Sequence, residues 1–298
     1  MLEKNWTLVL FTTLSQMVVG FFILVIGFQL FSDSSQWLVY VDNLLPIMIT
    51  MLFILTIGVG AALIHLGRPF RAILALRNLS TSWLSREMLF GLLFGIVVCV
   101  YVFLLWLDPQ LTGISTITGL LAGISGLILI YCMSRLYMLR TVPAWNNWRT
   151  PLAFLMTTLL LGIVSFVLWL ITNCTTSDKN LGVCLVLVDK AVFFCSLIII
   201  LVIAQLGVSV FNMISLSVGN DVALRSVMIL LSKERRLLWI RYLTAIGGVI
   251  LLFVGFPMFD MDMHVASIVI ISLAFGLIFA SEVIGRHLFY AYFVRKGI

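Results

Sequence analysis

Apolar positions dominate this chain in long unbroken runs, separated by short clusters of charged and turn-forming residues. Eight such runs fall near 7–31, 44–65, 87–107, 114–138, 151–173, 187–211, 237–258 and 265–293. A hydrocarbon core of about 30 Å takes about 20 residues of apolar helix per crossing, so each run is long enough to span a bilayer. The runs are continuous and do not alternate with period two, which excludes a transmembrane barrel. The pattern predicts an all-α integral membrane protein with eight transmembrane helices, forming a single polytopic membrane domain over 1–298. Four crossings return the chain to the side where it began. Long basic connections at 66–86 and 212–236 hold the same place in each set of four. This permits two four-helix bundles, as halves 1–140 and 141–298, in a parallel repeat.

Composition agrees with the pattern: 62% of residues are hydrophobic and 10% charged, with mean hydropathy +1.20, where a soluble domain carries roughly a quarter charged residues. The first run follows Lys4 without an A-x-A-like cleavage site and is longer than a secretory h-region, so it is expected to remain in the mature protein. The net charge of +6 does not indicate nucleic acid, because the charges sit in short loops at helix ends. With eight crossings, 16 of the 18 basic residues fall on one side, and only Lys179 and Lys190 lie opposite. By the positive-inside rule the basic side, which holds both termini, is cytoplasmic. The same face would also suit an acidic docking partner. Connections on the other side, around 31–43, 108–113 and 258–264, are short and acidic or neutral. The longest of that side carries Cys174 and Cys184, either a disulfide in an oxidising compartment or two neighbouring thiols. Cys99, Cys132 and Cys195 lie within apolar runs as small hydrophobes.

Candidate chemistry collects between His65 and Glu87, in HLGRPFRAILALRNLSTSWLSRE. His65 ends the second run, where Gly67 and Pro69 stop the helix. From Pro69, apolar Phe70, Ile73, Leu74 and Leu76 alternate with Arg71 and Arg77 in the manner of a short amphipathic helix in the membrane interface, holding either a quinol site or lipid phosphates. Glu87 opens the third run. With Ser85 as N-cap it would complement the helix dipole; at the edge of an apolar run it is equally a site carboxylate. On the fourth run, Tyr131, Arg135 and Tyr137 precede the loop at 140–145. Its aromatics read as interfacial anchors, and Arg135 as either a loop charge or a group facing a cavity shared with Glu87. Glu282 and Arg286 are four apart on the last run and able to pair. Glu282 lies some 16 Å deep at about 1.5 Å per residue, as half of a buried ion pair or as a proton relay.

Of the three histidines only His65 and His287 share a side, and no two have haem-ligating spacing on one helix, so a bis-His haem is not expected. No cysteine cluster suits iron–sulfur, and no nucleotide-binding motif or nucleophile–base pair is present. No metal site is predicted. The chain is therefore expected to carry no redox centre of its own. A secondary transporter is the competing class, since it too has many helices, an intramembrane carboxylate and repeats.

Three blocks, HLGRPFRA at 65–72 followed by LSRE at 84–87, SRLYMLRTVPAWNNWRTP at 134–151, and SEVIGRHLFY at 281–290, resemble the membrane anchor subunits of dimethyl sulfoxide reductase (DmsC), relatives of the NrfD-type quinone-interacting subunits. The resemblance covers the whole chain. It implies a complex of the bacterial inner membrane in anaerobic respiration. A molybdopterin catalytic subunit reduces an S- or N-oxide, a four-cluster ferredoxin-like iron–sulfur subunit conducts electrons, and the anchor binds and oxidises menaquinol. His65 and Glu87 match positions tied to quinol in such anchors, while Arg68 stands where a small residue is usual. The expected site is His65, Arg71, Glu87 and Arg135, with His65 and Glu87 as proton acceptors for the quinol hydroxyls. Without a haem, electrons would pass straight to a docked cluster, which places the site at the docking face.

Overall fold

The computed structural model describes residues 5–31, 34–65, 76–108, 112–175, 181–260 and 263–295. The helices are α1 (Asn5–Phe31), α2 (Ser34–His65), α3 (Trp83–Leu107), α4 (Thr112–Tyr137), α5 (Arg149–Thr175), α6 (Leu181–Ser217), α7 (Asp221–Ser232), α8 (Arg235–Asp260) and α9 (His264–Ala291), with one 3₁₀ turn at Leu76–Asn78 before α3. All but α7 are long and apolar enough to cross a membrane, and there is no strand among the described residues. The protein is an all-α, multi-pass membrane protein.

The centre of the bundle is the pair α1 and α5. Both are apolar on all sides, which suits helices enclosed by other helices. They carry much of the core, including Phe21, Phe22, Phe154 and Phe166. Around them, α1 packs against α2, α4, α5 and α9, while α5 packs against α1, α4, α6 and α9; α3 pairs with α4, and α8 with α9. The order of neighbours is the same in α1–α4 as in α5, α6, α8 and α9. Lipid tails are as apolar as leucine side chains, so helices in a bilayer associate through close backbone approach and polar contacts, not through the hydrophobic effect. The α1–α5 crossing has both. A Cβ on Gly162 would stand 2.6 Å from the Cα of Gly20, and one on Gly20 would collide with the Thr158 carbonyl. Beside the crossing, Gln16 Nε2 donates to the Phe154 carbonyl at 2.7 Å.

Two local expectations change. The N-cap of α3 is Ser82, whose hydroxyl accepts from the Ser85 amide at 3.3 Å; Ser85 itself is a buried residue of the first turn. The reason is in SxxS: either serine can cap, and the earlier one lets Trp83 and Leu84 join the helix. The connection at 212–236 is also not a loop. α6 continues to Ser217, and α7 follows with Asn220 as N-cap, accepting from the Ala223 amide at 3.0 Å. α7 buries Ala223, Ser226, Val227 and Leu230 and leaves Arg225, Met228 and Leu231 exposed. That is the amphipathic pattern of an interfacial helix. The interfacial helix expected after Pro69 lies mostly outside the described residues.

Substituting Gly162 by valine is expected to separate α1 from α5. Overpacking costs about 1–3 kcal/mol, seen as a lower melting temperature of the purified protein in detergent. Gly27→Ala, where nothing lies within 4 Å of the added Cβ, should leave it unchanged.

Candidate functional site

The basic face gathers the ends of α2, α4, α6 and α9 and the starts of α1, α3, α5 and α8. Two polar regions lie there, divided by aromatic rings.

The first surrounds Glu87. With Ser82 as N-cap, Glu87 lies in the second turn of α3, past the positions where an acid best serves the helix dipole. Its side chain is only 5% exposed, and Oε2 has no hydrogen-bond partner. Cys132 of α4, Tyr137 at the end of α4 and Tyr290 of α9 are within electrostatic reach. Leaving a buried polar atom unpaired costs about 1–3 kcal/mol. That cost, with no capping duty to offset it, makes Glu87 a candidate site residue.

The arginines nearby are held elsewhere. Arg86 donates to the carbonyls of Leu79 and Ser80 at 2.8 and 2.7 Å, and its guanidinium lies 4.3 Å from the Trp83 ring centroid. Arg135 lies over the same ring at 5.2 Å, and Tyr131 meets that ring edge-on. Trp83 thus offers its π-face to both cations. Of the other predicted site residues, His65 is the last residue of α2; its side chain, like the whole of Arg71, lies outside the described residues. So do the side chains of Cys174 and Cys184.

Tyr290 donates to the Tyr137 hydroxyl at 3.0 Å, and Trp145 Nε1 donates to the Phe289 carbonyl at 2.8 Å. With Phe154 and Phe289 these rings fill the junction of α4, α5 and α9. Tyr137 and Trp145 are therefore buried and are not the interfacial anchors that their positions predict, whereas Tyr131 and Trp148 are exposed as anchors are.

Beyond the junction, α5, α6, α7, α8 and α9 enclose a cavity of about 80 Å³, with Thr157, Gln205, Arg241, Glu282 and Arg286 among the residues that line it. Glu282 and Arg286 do not form the expected ion pair. Glu282 Oε2 instead accepts from Thr157 Oγ1 at 2.6 Å and Gln205 Nε2 at 3.1 Å. Arg286 donates to Gln16 Oε1 at 2.7 Å and stacks 3.7 Å from the Phe154 centroid. Helical spacing puts the two on one face, but partners on α1, α5 and α6 draw them apart. Arg241, counted from the sequence only among the basic residues of this side, is buried on α8 and donates to Ser209 Oγ at 3.2 Å. Gly285 makes room for it: a Cβ there would meet Arg241 Nε at 2.7 Å. At the mouth, burial pushes the Tyr292 phenol above the usual tyrosine range, and Arg241 and Arg286 act in the opposite direction.

Gln16, Thr157, Gln205 and Arg241 were not among the residues singled out from the sequence. The signal for the two glutamines was present, since an amide deep in an apolar run needs a partner in lipid as a charge does.

These features define a multi-pass helical membrane protein whose buried charged side chains, among the described residues, lie toward one face. The chain belongs to the DMSO reductase anchor subunit (DmsC) family, whose model matches residues 2–292. Over 166 residues it is 28% identical to an anaerobic dimethyl sulfoxide reductase chain of Haemophilus influenzae, a match covering 56% of this protein and 58% of that one. It is 31% identical over 160 residues to the anaerobic dimethyl sulfoxide reductase chain YnfH of Escherichia coli, covering 53% and 55%. It is also 27% identical over 162 residues to a sulfite dehydrogenase subunit of Allochromatium vinosum, covering 51% and 49%. The matched stretches thus span about half the length of these relatives. No solved structure matches.

Glu282→Ala strands the Thr157 hydroxyl and leaves Gln205 Nε2 only its bond to Thr157 Oγ1 at 3.0 Å, and should cost about 1–3 kcal/mol. Glu282→Gln keeps an acceptor oxygen and should cost less. Melting temperature and yield of the two purified variants check the order.

Proposed function

We propose that this chain is the menaquinol-oxidising anchor of a molybdoenzyme reductase complex of the dimethyl sulfoxide reductase type. In this reading it holds a molybdopterin catalytic subunit and a four-cluster iron–sulfur subunit at the bacterial inner membrane. The observation that carries the reading is Glu87: a buried carboxylate with an unpaired oxygen, one turn inside the basic face, beside a tyrosine pair. Oxidising a quinol releases protons and electrons together, and Glu87 is suited to accept a proton from one ring hydroxyl. His65, with Arg71 in the segment after α2, would close the other side of the ring. The stack of Arg86, Trp83 and Arg135 would form a rigid wall, which makes Arg135 a positioning residue in place of a direct ligand.

Electrons would leave for a cluster in the docked iron–sulfur subunit, so the quinol must lie at the docking face. The exposed arginines and lysine around α7, Arg225, Lys233, Arg235 and Arg236, suit an acidic partner there. The charge bias puts this face and both termini on the cytoplasmic side. The direction of flow proposed here, from quinol to acceptor, follows the relatives named as reductase chains. Membership of an anchor family takes precedence over the transporter reading.

In the intact complex, Glu87→Gln should leave assembly and substrate reduction from an artificial donor unchanged, and abolish reduction driven by a menaquinol analogue. Equal loss of both activities would mean that Glu87 only supports the fold.

A further inference from the structure

The cavity in the second half of the bundle plays no part in the proposed quinol chemistry, yet its electrostatics are unbalanced. Arg149, Arg241 and Arg286 line it against a single carboxylate, Glu282, whose Oε2 is already taken by Thr157 and Gln205. Arg241 and Arg286 are 7% and 5% exposed, and the Nε of each is buried without a partner. Removing a cation from water without an anion costs several kcal/mol even after relaxation. The Phe154 ring and the Gln16 amide oxygen offset part of that for Arg286, and Arg241 has a serine hydroxyl. The deficit calls for an anion.

Two acceptors face the same space unused: Gln205 Oε1 and Asn212 Oδ1 are buried without donors. A bare anion satisfies the arginines and leaves these amides unpaired, whereas an anion bearing hydroxyl groups satisfies both sets. The volume fits: about 80 Å³ exceeds the ~10–15 Å³ that one water needs and is enough for a small polar group. The mouth is framed by Asn147, Arg149 and Tyr292 at the ends of α5 and α9, the level at which lipid headgroups lie.

We infer that the cavity enclosed by α5, α6, α7, α8 and α9 binds a phosphate-type anion with hydroxyl donors, the chemistry shared by a glycerol-terminated phospholipid headgroup and free phosphate. The phosphate sits between Arg241 and Arg286, and hydroxyls donate to Gln205 and Asn212. Arg149 guards the entrance, held by Asn147 Oδ1 and Ser215 Oγ.

The test is native mass spectrometry and thermal melting of the full chain in mild detergent, with added phosphatidylglycerol, phosphatidylethanolamine or inorganic phosphate. Phosphatidylglycerol should bind and raise the melting temperature, and phosphatidylethanolamine should not, its ammonium being repelled by the arginines. Arg241→Gln should weaken that binding at least about tenfold, as expected for one charge-assisted hydrogen bond. Asn212→Leu, at the cavity wall, should weaken it less and serves should Arg241→Gln fail to fold. Equal stabilisation by inorganic phosphate would assign the site to the free ion. Equal binding of both lipids, binding unchanged in either variant, or a retained quinol that disappears in Arg241→Gln would overturn the inference.

Discussion

The structure depends on the contact between the backbones of α1 and α5 at Gly20 and Gly162. In water, two apolar helices gain by hiding from solvent; in lipid they gain only what closer packing gives them over acyl chains. Without side chains at the crossing, dispersion contacts and the Gln16 bond to the Phe154 carbonyl act at short range. The other spans are arranged about this pair. Arg286 of α9 reaches the same Gln16, so a third helix is tied to the crossing through one amide.

Buried charged side chains are few in the bundle, and among the described residues they lie toward its basic face. Water is close there, and the cost of burying charge falls toward the interface. The aromatic junction around Tyr137, Trp145, Phe154, Phe289 and Tyr290 separates two environments of opposite character. On one side a lone carboxylate is short of partners. On the other, arginines outnumber the carboxylate. One region is thus prepared to take up a proton, and the other to hold negative charge. The proposed quinol chemistry draws on the first region and the inferred anion site on the second, so the two proposals rest on separate groups.

Glu87 was recognisable in the sequence because a carboxylate at the edge of an apolar run has few reasons to be there. The eight spans and the basic face were recognisable for the same kind of reason, hydropathy and charge being properties of residue type alone. The cap of α3 was misplaced by one turn, since Ser82 and Ser85 are both competent. The Glu282–Arg286 pair was expected from spacing and is absent in the fold, because i,i+4 neighbours compete with partners on three other helices. Arg241 fell inside the predicted run at 237–258 without being singled out; α8 begins at Arg235, which carries it one and a half turns into the bundle.

By itself the sequence determined that the chain crosses a membrane eight times, which face is positive, and which family it joins. The first two follow from the free energy of placing a residue type in lipid or water, and the third from the three blocks at 65–87, 134–151 and 281–290. Only the tertiary structure decided that Gln16 bridges α1, α5 and α9, that Arg86 and Arg135 share the Trp83 ring, and that Arg241 and Arg286 face a common cavity. Those contacts join residues far apart in the chain, and in a low-dielectric bundle a polar group settles on the partner that geometry brings within about 3 Å, whatever its neighbours in sequence.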